Sequence, residues 1–190
     1  MAFTLPIDRS ANDLLYSSPL ALLIAMLLDQ QVPLERAFSA PYDLTQRLGH
    51  ELDARELADY DSDALIEIFA QRPALHRFPR AMALRVQELC RLLVDRYDGD
   101  AARVWTEAKT GTELAKRIGE LPGFGKQKAQ ITVALLGKQF GVRPTGWREA
   151  SGTFGEAGSF RSVADIADAE SLAKVRSYKQ QMKAAAKAEG

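Results

Sequence analysis

Apolar positions recur at helical spacing along most of the chain, and no stretch alternates as a strand would. The densest block is Pro19–Leu28, where Leu20, Leu22, Leu23, Ile24, Met26, Leu27 and Leu28 leave no polar side. A helix apolar all round belongs at the centre of a fold. Ser18 is its predicted N-cap, and Pro19 suits a first helical turn. The block stops at Asp29-Gln30-Gln31-Val32-Pro33, a polar exit that faces either water or a ligand. Residues 80–97 form the clearest long helix, with Met82, Val86, Leu89 and Leu93 on one face and Asp98-Gly99 ending it. Shorter helices are predicted over 34–38, 44–48, 54–60 and 64–70. Ala40-Pro41-Tyr42 is expected to break the first from the second, and Ser62 or Asp63 to cap the last. Residues 72–79 read as a proline-bracketed loop carrying His76. The class is all-α.

Two further helices meet at a bend. Leu114 and Ile118 share a face over 112–120, and Ala129, Val133, Leu136 and Phe140 share one from Lys126 onward. Between them lies Leu121-Pro122-Gly123-Phe124-Gly125. Pro122 and Gly123 stop the first helix, and Gly125 is expected to take a backbone shape forbidden to a side chain. Such a bend leaves backbone amides pointing outward at a helix start, where they and the helix dipole make an anion site. Lys126 and Lys128 are expected to add mobile cations. A phosphate fits, and because the loop is short and convex, a nucleic-acid backbone fits better than a buried nucleotide.

Composition sharpens this reading. The 190 residues are 46% hydrophobic, enough for one substantial core, and the net charge is zero. A polyanion binder of that balance needs a local basic face. Residues 121–148 carry Lys126, Lys128, Lys138, Arg143 and Arg148 with no acid, whereas residues 43–63 hold seven acids against Arg47 and Arg55. Cys90 is the only cysteine, which excludes a disulfide framework and a four-Cys cluster within one chain. No side-chain metal site is expected. The first ten residues lack the blocks of a signal peptide, and 19–28 is too short to span a bilayer, so a cytoplasmic, nucleoid-associated monomer without membrane contact is expected. After Phe140 the texture changes. Residues 141–170 hold five of the thirteen glycines with Trp147 and Phe154, and a basic helix follows, capped by Asp168 or Ser171.

The bend Leu-Pro-Gly-Phe-Gly-Lys-Gln-Lys-Ala at 121–129 resembles the helix-hairpin-helix of the DNA glycosylase superfamily that includes endonuclease III, the adenine glycosylases and the alkyl-base glycosylases. Leu-Leu-Asp-Gln-Gln-Val at 27–32 and the run from Cys90 to Asp100 resemble the same family. The resemblance covers roughly residues 18–140. It implies a helical glycosylase-like domain over 1–140, with 141–190 packed on it as a Gly-rich loop and basic helix. It also implies base excision from double-stranded DNA carrying a damaged or modified base, by hydrolysis of the N-glycosidic bond after base flipping. In those enzymes the hairpin holds phosphate, here Leu121, Gly123, Phe124, Gly125, Lys126, Gln127 and Lys128. A Gln tip fills the gap left by the extruded base, here Gln31 and next Gln30. The resemblance further implies a monovalent cation at the hairpin carbonyls and no other cofactor.

The chain departs from the family at the chemistry. The usual Asp after the hairpin is missing, since none lies between Asp100 and Asp165. Glu149, in Gly-Trp-Arg-Glu, is nearest to its place, with Arg148 beside it as a DNA contact. Asp29 is the outside alternative. The lysine of the bifunctional members is replaced by Gln127, which argues for a monofunctional enzyme without iron–sulfur cluster. Trp147, Phe78 and Tyr42 are the candidates to stack on an extruded base. The rival reading is a helix-hairpin-helix protein that binds damaged or distorted DNA without catalysis.

Overall fold

The computed structural model describes residues 4–188, and among these every regular element is helical. In chain order they are α1 (Arg9–Ser17), α2 (Pro19–Leu28), α3 (Leu34–Leu48), α4 (Ala54–Asp59), α5 (Ser62–Ala70), α6 (Pro79–Tyr97), α7 (Arg103–Thr106), α8 (Gly111–Gly119), α9 (Lys126–Gln139), α10 (Trp147–Ala150) and α11 (Ala169–Ala188). Two 3-10 turns, Gly152–Gly155 and Val163–Asp165, sit between α10 and α11.

The boundaries follow local chemistry. Ser18 Oγ accepts from Ala21 N at 3.2 Å and Pro19 occupies the first turn of α2. Asp61, not Ser62 or Asp63, caps α5, with its carboxylate on Ala64 N at 2.8 Å. Asp168 caps α11 through Ser171 N at 2.7 Å. The expected break at Ala40-Pro41-Tyr42 does not occur: α3 runs unbroken through Pro41. A mid-helix proline removes one hydrogen bond and crowds the preceding turn. Here Phe38, Ala40, Pro41 and Leu44 are all buried, and their packing against α1 and α2 outweighs that loss.

α2 is the axis of the core. Every residue from Leu20 to Leu28 is buried. α3, α6 and α1 pack around it, and α4 and α5 lie against α6. α8 and α9 form an antiparallel hairpin whose inner face contributes Leu114, Ile118, Ala129, Val133 and Leu136. The 141–170 segment then returns across α8 and α9. Gly111 N donates to Thr145 O at 2.8 Å, and the Trp147 ring lies on Gly137 so closely that any Cβ there would collide with it. Lys138 Nζ reaches Asp165 at 2.5 Å, Glu156 O at 2.8 Å and Ser159 Oγ at 3.1 Å, which pins the segment to α9. No single described helix is long and apolar enough to cross a membrane.

Candidate functional site

The end of α2 and the start of α9 meet, and the way they meet builds a cleft. A helix leaves its last carbonyls without intrahelical donors. Those of α2 are taken by side chains from two other elements. Lys128, in the first turn of α9, places Nζ 3.2 Å from Leu27 O and 3.4 Å from Asp29 O. A cation there also complements the negative end of the helix dipole. His76, buried in the 71–78 loop, places Nε2 2.9 Å from Gln30 O and 3.2 Å from Leu28 O. Its Nδ1 accepts from Phe78 N at 3.0 Å, so Nε2 carries the proton and the ring is neutral. Burial pushes the His76 pKa down, against the opposing pull of the Gln30 and Leu28 carbonyls.

This clamp fixes the polar tip. Gln30 folds back and donates Nε2 to Leu27 O at 2.8 Å. Gln31 sits at φ 56°, a left-handed backbone that costs a residue with a Cβ on the order of 1–2 kcal/mol, and it is exposed. Ser18, at the other end of α2, is 13 positions away, so the strain at Gln31 belongs to the tip alone.

The bend before α9 is tied to the same point. Gly123 has φ 82° and turns its Cα face onto Leu27 of α2 and Arg85 of α6. Only glycine fits. Gly125 differs from expectation: its φ of −74° and ψ of 177° are open to any residue, and a Cβ there would meet nothing. It is the N-cap of α9 and brings no capping side chain, so the first amides of the helix (Lys126, Gln127 and Lys128) face outward with no intrahelical acceptor. Leu121 and Phe124, expected at a ligand, have buried side chains that seat the bend in the core. Lys126 and Gln127 are exposed. Lys128 is not the mobile cation expected. It is half-buried, its pKa is pushed down by burial and partly restored by Asp29, and it holds the α2 end.

Between the tip, the first turns of α9 and the C-terminal segment lies a cleft of about 500 Å³. Met26 and Ile131 contribute apolar lining, and Asp29, Gln30, Gln31, Gln127 and Lys128 line it from the tip and α9. Phe154, Arg161, Tyr178, Lys179 and Met182 line it from the C-terminal segment. Asp29 is its only carboxylate. Burial pushes the Asp29 pKa up, while Lys179 and Lys128 hold it back. A carboxyl whose pKa is raised by burial and which has two ammonium groups near it can accept a proton from water or stabilise a nearby positive charge.

The other candidates lie elsewhere. Glu149 is exposed and lines a separate hollow with Arg148, Gly152 and Glu156, outside the cleft. Arg148 stacks on Trp147 at 4.5 Å and donates to Gly155 O at 2.7 Å. Trp147 is a core residue, since its ring is sandwiched between Gly137 and that guanidinium. Tyr42 lines a hollow on the α1–α3 face. Phe78, 41% exposed, stands beside His76 at 6.1 Å between ring centroids but does not line the cleft. Sequence reasoning named Phe154 only as part of the Gly-rich segment and covered Lys179 only as part of the basic helix that follows it. It did not name Arg161, Tyr178 or Met182, whose places depend on how 141–188 folds back.

Among the described residues, no group of three or more His, Cys, Asp and Glu could hold a metal ion. At the bend, the Glu120, Pro122 and Gly123 carbonyls take no main-chain hydrogen bond, whereas Leu121 O takes Phe124 N at 3.1 Å. Cys90 is buried in the core and its thiol is pushed up to about 12, chiefly by burial, which suits packing rather than chemistry. Comparison with protein-family models, with curated proteins and with solved structures finds no match.

Proposed function

We propose that the chain is a monofunctional DNA glycosylase of base excision repair, on a helix-hairpin-helix architecture, with Asp29 as the acid that carries the chemistry. The observation behind this reading is the cleft between the Gln31 tip and the hairpin, with one carboxylate inside it. The outward amides of α9, helped by Lys126, grip a phosphate. A monovalent cation held by carbonyls of the bend, as the resemblance implies, would add positive charge near that phosphate. Gln31, held out by its left-handed backbone, enters the duplex where the target base leaves. The extruded base lies in the cleft against Phe154 and Tyr178, which replace part of the stacking lost, a few kcal/mol.

Cleavage then breaks the C1′–N bond. Positive charge grows on the sugar, the Asp29 carboxylate faces it, and water adds to C1′. Asp29 takes the proton released by that water, and the departing base anion takes a proton from solvent, after which Asp29 gives its own back to solvent. The elevated pKa of Asp29 suits proton acceptance better than an ordinary surface carboxylate would. Lys179 and Lys128 oppose the rise that burial imposes and so favour its charged form. Glu149, exposed and outside the cleft, has no part in this scheme.

The test uses duplexes carrying uracil, 5-hydroxymethyluracil, alkylated purines or oxidised bases. Release of free base by the wild type, lost by about 10²–10⁴-fold in Asp29→Asn with duplex affinity retained, is the expected result. Glu149→Gln should release base as the wild type does. Tight binding to one lesion with no release from any would favour the rival, a non-catalytic binder of damaged or distorted DNA, which the absence of a carboxylate at the family's usual place supports. No duplex binding would end both readings.

A further inference from the structure

We propose that the outer half of α11 is a rigid basic arm that lies along the phosphate backbone of the duplex beside the cleft. This inference rests on the DNA reading above and extends it to a second contact surface.

The first observation is how this helix is held. Only Ser171, Leu172 and Val175 of α11 are buried, and from Lys179 to Ala188 every residue is exposed. A surface helix with no packing face is marginal in water unless its composition favours it. Residues 179–188 read Lys-Gln-Gln-Met-Lys-Ala-Ala-Ala-Lys-Ala, without glycine, proline or a β-branched residue. These are the strongest helix formers. Nucleated by the packed first turns, the helix persists where nothing supports it. A tail needed only for solubility has no reason to stay straight.

The second observation is its charge. Arg176, Lys179, Lys183 and Lys187 follow at steps of three, four and four. At about 100° per residue they fall within a sector of roughly 80°. Lys174 points to the opposite side, stacked over Phe160 at 4.6 Å and paired with Glu170 at 2.6 Å. Glu170 is the last acid before Ala188, so nothing within the described helix neutralises the stripe. Arg176 is ion-paired to Glu35 in the first turn of α3, which anchors the stripe to the body. Lys179 faces into the cleft beside Asp29, and Lys183 and Lys187 make no ion pair among the described residues.

The stripe therefore begins inside the cleft and leads away from it. From Lys179 to Lys187 it spans about 12 Å at 1.5 Å per residue, or roughly three to four base-pair steps of 3.4 Å. A single-sign, evenly spaced row on a stiff rod matches a polyanion whose own charges are evenly spaced. An acidic protein surface, with charges scattered in both sign and depth, matches it less well.

The test measures equilibrium affinity of the full chain for a 25-base-pair duplex, carrying a stable abasic analogue, between about 50 and 200 mM salt. Lys183→Gln/Lys187→Gln should make the slope of log K against log salt shallower by about 1.8, since each lost phosphate contact removes about 0.9. Lys174→Gln should leave the slope unchanged. Glutamine keeps the helix propensity, and far-ultraviolet circular dichroism checks that helix content is retained. Trimming the flank beyond the lesion to fewer than about four base pairs, on one side or the other, should erase the difference between wild type and double variant on one side only. A wild type that binds duplex with a salt slope the double variant leaves unchanged overturns the arm and spares the cleft. An equal change in Lys174→Gln does the same, because the effect is then one of net charge. A wild type without salt-dependent duplex binding overturns both.

Discussion

Gly123→Ala and Gly125→Ala differ by one methyl each, only two residues apart, and the structure predicts opposite outcomes. At Gly123 the backbone is left-handed, at φ 82°, which costs about 1–2 kcal/mol for a residue with a Cβ. The new methyl would also overlap Cδ1 of Leu27, a fully buried residue of the central helix that has no room to retreat, and press on Arg85. Overpacking of that kind costs about 1–3 kcal/mol. Together the loss is about 2–5 kcal/mol, which in a chain of this size lowers Tm by roughly 4–20 °C. At Gly125 the dihedrals are ordinary and the space is open, so Gly125→Ala should change stability by less than about 1 kcal/mol. Urea unfolding followed by circular dichroism reads both. Duplex affinity should follow the same split, falling in Gly123→Ala for every sequence alike and nearly unchanged in Gly125→Ala. Equal costs at the two glycines would show that the bend is not seated on Leu27 and that the geometry of the hairpin has been misread.

Asp29→Asn should be neutral or stabilising above the raised carboxyl pKa: the folded state disfavours the carboxylate, so ionisation lowers stability as pH climbs through that value, and an amide escapes this. Thermal melts of the two proteins at pH 4 and pH 7.5 check it, with a larger gap expected at the higher pH. His76 has the reverse linkage. Burial holds its folded pKa below the ordinary imidazole value of 6.5, so its contribution is complete above pH 6.5 and drains as pH falls from there towards the folded value. His76→Gln should remove that part of the slope between pH 5 and 7, and unfolding titrations at half-unit steps measure it. Trp147→Ala should cost about 3–5 kcal/mol, as for any large core aromatic, while leaving affinity per folded molecule intact. Asp165→Ala strands Lys138 in a nearly buried site and should cost about 3–5 kcal/mol, measured by the same unfolding assay.

Much of the architecture was legible because helix signals are local. The apolar block at Pro19–Leu28, its Ser-Pro start, and the spacing of Met82, Val86, Leu89 and Leu93 each identify a helix without reference to anything distant. Pro41 misled because propensity is a weak prior, and burial of Phe38 and Leu44 overrode it. The Gly-x-Gly bend was visible, but not which glycine mattered. That depends on Leu27, almost a hundred positions earlier, and no local pattern contains it. The cleft was half legible. Gln31, Gln127 and Asp29 sit on strongly signalled elements, whereas Arg161, Tyr178 and Met182 reach it through a Gly-rich return whose path is set by Trp147 on Gly137 and Lys138 on Asp165. Glu149 and Trp147 fall outside the cleft for the same reason: distance along the chain from the bend said nothing about which way the return would turn.

Lys128 and His76 hold alternate carbonyls of the same helix end, Leu27 and Asp29 from the hairpin helix and Leu28 and Gln30 from the 71–78 loop. Hairpin and tip are thereby parts of a single stiff frame rather than two jaws on a hinge. A displacement of one is passed to the other through these four hydrogen bonds. Whatever enters the cleft must do the bending.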